Sequence, residues 1–199
     1  MPTHAETLPD RIRLPIDFDP KPLAADLERF EPADWTRHYV RDNYEGEWSA
    51  VPLRAAAGET HPLRMIGVHS SDKGFIDTLY LDRAPALRAA LSQFHCPLKA
   101  VRLMRLGAGS IIKEHDDHDP EAERGAARLH VPITTNPEVE FLLNRSPVPM
   151  TPGSAWYLRL SDPHSVANRG ASDRVHLVID TWRSDWLDRM LHAGAARAA

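Results

Sequence analysis

Four side chains of this sequence have the types and spacing to hold a metal ion with an anion beside it. They are His115 and Asp117, then His164, then Arg174 ten residues later. Two imidazoles and one carboxylate on one face of an ion leave three positions open, the arrangement of non-haem iron(II) sites that activate oxygen. In an extended segment residues i and i+2 point the same way, so His115 and Asp117 can reach one ion together. His164 would arrive from a distant strand to complete the face. Arg174 would lie beyond it, where a guanidinium fork suits the far carboxylate of a dicarboxylate co-substrate.

Each of these residues has a competing reading. Glu-His-Asp-Asp-His-Asp-Pro (114–120) is polar and ends in proline, as a solvated turn does. Within it, His118 with Asp116 or Asp119 offers rival donors. His115 is preferred because residues 110–114 read as a strand leading into it. His164 follows Asp162-Pro163, as a turn histidine would, and Arg174 could pair with Asp173 at a rim. The period of two argues otherwise for Arg174, because Arg174, His176, Val178 and Asp180 share one strand face. If Val175, Leu177 and Ile179 pack against helices, Arg174 points inward, and a buried arginine needs an anionic partner. Arg128 and His130 share a face in the same way, with Leu129 and Val131 opposite. His176 reads as a core histidine, and Trp156 and Tyr157 as core aromatics. Ser154 and Asn168 are candidates for hydrogen bonds to the ligands.

These residues must be positioned by many short elements, since seventeen prolines spread along the chain oppose a helical bundle. Three helices are expected. Residues 19–30 carry Asp19 as cap and Pro20 in the first turn; residues 83–94 place Leu87, Leu91 and Phe94 on one face; residues 184–192 have Ser184 as cap. The Ala-rich tail from Ala193 should fray. Strands are expected over residues 48–54, 100–106, 127–134, 139–143, 154–160 and 175–181, separated by turns such as Asn136-Pro137 and Thr151-Pro152-Gly153. Short strands at this spacing predict a mainly β fold with flanking α-helices, an antiparallel jelly roll.

The 199 residues suit one domain, with 1–99 supporting the barrel and supplying a substrate region, 100–183 as the jelly-roll core, and 184–199 as a C-terminal helix and tail. A 42% hydrophobic content can fill a core, and a net charge of −4 gives no reason to expect nucleic acid. No apolar run approaches a bilayer span, the first ten residues do not resemble a secretory signal, and Cys96 is alone. The expectation is a cytoplasmic protein with Cys96 as a small buried hydrophobe; oligomeric state is left open.

Residues 101–186 resemble the aspartyl/asparaginyl β-hydroxylase family, a branch of the 2-oxoglutarate-dependent iron(II) oxygenases built on a double-stranded β-helix of cupin type. The resemblance is carried by Gly-Ala-Gly-Ser-Ile-Ile-Lys-Glu-His-Asp-Asp (107–117), Arg-Leu-His-Val-Pro-Ile-Thr-Thr-Asn-Pro (128–137), Pro-Gly-Ser-Ala-Trp-Tyr-Leu (152–158), His-Ser-Val-Ala-Asn-Arg-Gly (164–170) and Asp-Arg-Val-His-Leu-Val-Ile-Asp (173–180). It implies iron ligands at His115, Asp117 and His164, with Arg174 holding the distal carboxylate of 2-oxoglutarate. It also implies that Arg128 and His130 lie beside the co-substrate near the metal. The vertebrate enzyme that names the family has glycine where Asp117 stands, so this chain looks more like small bacterial members such as free-proline cis-4-hydroxylases. Met104 stands where that enzyme has a serine touching the co-substrate. The reaction implied consumes O2 and 2-oxoglutarate and hydroxylates a C–H bond of an amino acid, peptide or related small molecule.

For the substrate, Arg54, Arg64 and His69 could face an anionic group, with a solvated strand edge as the alternative, and Asp72-Lys73-Gly74 could hinge a lid. Two other classes stay open: a metal-dependent cupin enzyme that does not use 2-oxoglutarate, and a non-enzymatic binding protein on the same barrel.

Overall fold

The computed structural model describes residues 8–67, 73–117 and 125–198. The readings placed on His69, Asp72, His118 and Asp119 lie outside the described residues. In chain order the elements are β1 (Arg11–Asp17), α1 (Pro20–Leu27), β2 (Thr36–Arg37), β3 (Tyr44–Glu45), β4 (Trp48–Ala56), α2 (Pro62–Met65), β5 (Phe75–Asp77), α3 (Leu79–Asp82), α4 (Pro85–Leu91), β6 (Leu98–Leu106), β7 (Ile111–His115), β8 (Ala126–Thr134), β9 (Val139–Leu143), β10 (Ser146–Pro147), β11 (Ser154–Leu158), β12 (His164–Asn168), β13 (Arg174–Trp182) and α5 (Asp185–Ala198).

The strands form two antiparallel sheets. The large one runs β1-β11-β8-β13-β6-β4-β2, with β5 on β4, and the small one runs β10-β9-β12-β7-β3. They face each other as a double-stranded β-helix with helices outside the large sheet, so the chain is mainly β with a jelly-roll core. β1 and β4 lie in the large sheet, so the segment before residue 99 supplies barrel strands as well as supports.

The two-residue period of each long strand makes two cores. One face of the large sheet (Val51, Leu53, Val101, Leu103, Leu129, Val131, Leu177, Ile179) is fully buried against Leu23, Leu87, Leu91, Leu187 and Leu191 of the helices. At about 1.5–3 kcal/mol per buried aliphatic side chain, this layer fixes which face of β8 and β13 looks inward. The inner face packs a second cluster against the small sheet, including Leu106, Ile112, Phe141, Leu143, Trp156 and Leu158. Trp156 and Tyr157 are core residues, as expected, on opposite faces. Cys96 is half-buried at the edge of the helix-side core, where burial raises its thiol pKa.

Three helix boundaries differ from expectation. α1 starts as read, with the Asp19 side chain accepting from the Lys21 N–H at 3.0 Å, but stops at Leu27. The helix expected over 83–94 is shorter: α4 runs from Pro85 to Leu91, and it begins there because proline holds the preceding residue, Ala84, outside helical geometry (φ −124°, ψ 71°), while the separate one-turn α3 ends at Asp82 before it. α5 runs to Ala198 instead of fraying after His192. Gly194 permits this, since a Cβ there would lie 2.4 Å from the Arg13 carbonyl oxygen of β1. The helix therefore presses directly on the strand. A tight hairpin joins β9 to β10 through Asn144 (φ 50°) and Arg145 (φ 59°), the left-handed pair that a two-residue loop requires.

Candidate active site

His115 ends β7 and His164 begins β12, and the two are direct partners in the antiparallel register. Their ring centroids lie 4.3 Å apart. Each ring leans on a backbone carbonyl: His115 Nδ1 on Lys113 O at 2.8 Å, His164 Nδ1 on Asp162 O at 3.0 Å. A carbonyl only accepts, so each Nδ1 carries a proton and Nε2 is the ring nitrogen of each turned toward the ligand position. Burial, then the neighbouring His115, lowers the His164 pKa, which favours the neutral form a metal requires. Asp117 follows β7, tied by its N–H to Leu160 O at 2.8 Å, with Oδ1 3.7 Å from His115 Nε2. One ligand atom from each of His115, Asp117 and His164 falls within 4.8 Å of the others. The donor set, two oriented imidazoles and a carboxylate, suits a divalent transition metal.

The opposite wall belongs to the large sheet. Arg174, on β13, is 3% exposed, and among the described residues no carboxylate pairs with it. Its Nη2 donates to His176 Nδ1 at 2.8 Å, its Cζ lies 5.8 Å from the Phe141 ring centre, and its Nε has no hydrogen-bond partner. Burial draws its pKa down to about 9. His176 is thus a buried histidine with partners, as read. His130, on β8, lies with its Nδ1 3.4 Å from His176 Nδ1 and leaves Nε2 unpartnered. Burial, then the charge of Arg174, holds both imidazoles neutral, well below their ordinary pKa.

Arg128 crosses between the walls. Its Nη1 donates to Asp117 Oδ2, and its Nε donates to Asp180 Oδ1 at 2.7 Å. Asp180 is fully buried and takes Arg102 Nη2 on its other oxygen, while Arg102 Nη1 donates to Ile66 O at 3.0 Å. Burial alone would raise the Asp180 pKa; Arg102 and Arg128 together hold it below the usual range.

Between the walls is a cavity of about 530 Å³ lined by His115, Asp117, His164, Arg128, His130 and Arg174, all six residues singled out from the sequence. Sequence reasoning missed Arg102 and the rim made by His38, Tyr39, Asn43 and Trp48. The His38 ring stacks on Trp48 at 3.6 Å and 14°, and Trp48 meets His115 edge-on at 6.4 Å. Burial, then Arg102, lowers the His38 pKa to about 4. The alternation of β4 was the available signal for Trp48, which faces inward. Met104 lines the cavity and offers an apolar contact where the resemblance places a serine.

The other basic candidates are elsewhere. Arg54 is held by Asp77 (2.6 Å) and Phe75 O (2.6 Å), and Arg64 is exposed beside Glu59 (3.7 Å). Ser154 bonds Thr151 O and the Trp156 indole, and Asn168 bonds Leu106 O, Gly107 O and Ser172 O, so their hydrogen bonds hold loops and core rather than the triad.

Residues 23–184 match the family model described as aspartyl/asparaginyl beta-hydroxylase. An L-proline cis-4-hydroxylase of Rhizobium meliloti (strain 1021) is 28% identical over 178 residues, which take in 83% of this chain and 58% of that one. The chain therefore matches little more than half the length of that relative. Among solved structures, a 2OG-Fe(II) oxygenase family oxidoreductase of Burkholderia pseudomallei aligns with TM-score 0.55 at 16% identity, over 88% of this chain and 85% of the other. A prolyl-4-hydroxylase of Pseudomonas putida aligns with TM-score 0.50 at 13% identity, over 88% and 93%. At these identities the structural likeness speaks to the fold.

Proposed function

The chain belongs to the aspartyl/asparaginyl β-hydroxylase family, and on that premise we propose that it is an iron(II)- and 2-oxoglutarate-dependent dioxygenase. It hydroxylates an unactivated C–H bond of an amino acid, peptide or related small molecule. One observation carries the proposal: three ligand atoms within 4.8 Å share a cavity with a buried arginine that no carboxylate among the described residues pairs with.

His115 and His164 would hold iron(II) through Nε2 and Asp117 through Oδ1. With iron and 2-oxoglutarate bound, that pair supplies the oxidising chemistry, using O2 to release succinate and CO2 and to place one oxygen atom in the substrate C–H bond. The residues do the rest. Arg174 receives the distal carboxylate of 2-oxoglutarate, which gives the buried cation its missing anion. Arg128 and His130 border the co-substrate's other end. Trp48 and Phe141 keep water from the reacting atoms, Phe141 lying parallel to the His164 ring at 6.2 Å.

Substrate contacts come from the rim of His38, Tyr39 and Asn43. The relative's name makes free proline and its ring homologues the first substrates to try. A cupin enzyme without 2-oxoglutarate would need the triad but would have no use for Arg174, whose burial favours the present reading. No helix among the described residues is long and apolar enough to cross a membrane.

The test adds iron(II) and then 2-oxoglutarate to the protein without oxygen and records the visible spectrum. A weak metal-to-ligand charge-transfer band should appear only with both and be absent in His164→Ala. Succinate release on admitting O2 should depend on His164, and full release from His164→Ala would sink the assignment. Tight iron binding with no band would move the reading to the cupin enzyme.

A further inference from the structure

The carboxylate of the triad is steered from the opposite sheet. Asp117 Oδ2 is engaged by Arg128, which leaves Oδ1 on the side of His115 Nε2, 3.7 Å away. Arg128 is itself held by Asp180, whose Oδ1 accepts from Nε at 2.7 Å. Asp180 sits opposite Arg128 in the β13–β8 register, and Arg102 on β6 closes its other oxygen. Charges thus alternate across three adjacent strands, plus on β8, minus on β13, plus on β6. Asp180 is 0% exposed and is not among the residues lining the cavity, so it acts on the site through Arg128.

The geometry of a guanidinium explains why this matters. An arginine facing a carboxylate prefers to take both oxygens with its fork, and an arginine so placed on Asp117 would compete with a metal for the ligand atom. Asp180 occupies the Nε edge, which excludes a side-on fork through that nitrogen, and Arg128 meets Asp117 Oδ2 through Nη1. We propose that Asp180 is a positioning residue for the metal centre: it restrains Arg128 so that Asp117 offers one oxygen to the ion and gives the other to the arginine. The inference rests on the reading of His115, Asp117 and His164 as a metal site.

The experiment titrates Co(II) into the full chain under anaerobic conditions and follows the visible ligand-field spectrum, which reports both affinity and coordination. Asp180→Asn should weaken Co(II) binding about 10–100-fold, the usual effect of removing a partner that orients a ligand, and alter the band shape. Because Asp180→Asn leaves two arginines around one lost charge, the charge-matched Arg102→Met/Asp180→Asn variant is measured beside it, and the same loss is expected. In an Asp117→Ala background, Asp180→Asn should change affinity less than 2-fold, since the steered ligand is gone. Wild-type affinity in both Asp180 variants, or an equal loss with and without Asp117, would overturn the positioning role while leaving the metal site intact. Equal Co(II) binding by wild type and His164→Ala would instead overturn the metal reading and this inference with it.

Discussion

Replacing Arg174 with methionine should move the protein's stability and its co-substrate affinity in opposite directions. The arginine is buried, and burial brings its pKa from 12.5 to about 9. At 1.36 kcal/mol per unit, keeping it charged inside the fold costs on the order of 5 kcal/mol. Because the folded-state pKa of this base is depressed, the cost is present in full at neutral pH and fades only as pH rises past about 9. Against it stands the hydrogen bond to His176 at 2.8 Å, worth roughly 1.5–3 kcal/mol for a charged donor. Methionine keeps the apolar stem, so the ligand-free variant should gain about 2–3 kcal/mol. For a chain of this size that raises the unfolding midpoint by about 4–12 °C. The same change removes the cation proposed for the distal carboxylate, a loss of about 2–5 kcal/mol, or at least about 30-fold in 2-oxoglutarate affinity. Thermal unfolding with Mn(II) present, with and without 2-oxoglutarate, reads both effects. Wild type should be stabilised by the co-substrate, by about 2.7 kcal/mol at 100 times its dissociation constant, and the variant at the same concentration by less than about 1 kcal/mol. A variant with a lower ligand-free midpoint that still responds to 2-oxoglutarate would refute the reasoning and make Arg174 a structural residue.

Buried neutral histidines give the ligand-free protein a defined acid sensitivity. His38, with its pKa at about 4, and His130 and His176, well below 6.5, take up protons only on unfolding. Stability should therefore fall as pH drops below the unfolded value near 6.5, by about 2 kcal/mol for His38 between pH 7 and pH 5, with His130 and His176 acting in the same direction. Urea midpoints at the two pH values measure this, His38→Asn should recover roughly the His38 share, and a flat profile would contradict it. Gly194→Ala sets helix propensity, worth up to about 1 kcal/mol in favour of alanine, against a Cβ 2.4 Å from the Arg13 carbonyl. The contact is with backbone on both sides, so the clash should win and stability should fall by about 1–3 kcal/mol. A higher midpoint would show that α5 can back away from β1 at little cost.

The six site residues were legible because their signal is local. Spacing within β8 decides that Arg128 and His130 share a face, the short separation of His115 and Asp117 keeps both at the end of β7, and the apolar alternates Val175, Leu177 and Ile179 decide which way Arg174 points. Arg102 was lost to the same rule. It alternates with Val101 and Leu103, a pattern a solvent face would also give, but β6 lies between β13 and β4, and Arg102 and Met104 look into the cavity. A pattern of polar residues cannot tell water from a built polar interior. The rim of His38 and Tyr39 was illegible for a different reason: it comes from irregular backbone between β2 and β3, where no period applies. The ends of α4 and α5 depended on one proline and one glycine whose effects are decided by what they touch.

The division of labour between the two sheets has a consequence for how the site can vary. The imidazoles belong to β7 and β12 of the small sheet, whereas Arg174, Arg128, His130 and Met104 belong to β13, β8 and β6 of the large one. On the proposed reading, a substitution that retunes the acceptor for an organic acid falls on different strands from one that retunes the ion. Asp117 is the exception, since it stands with the histidines but answers to Arg128. Among the described metal-ligand candidates it is the carboxylate whose orientation answers to both walls, so a change on either is felt there.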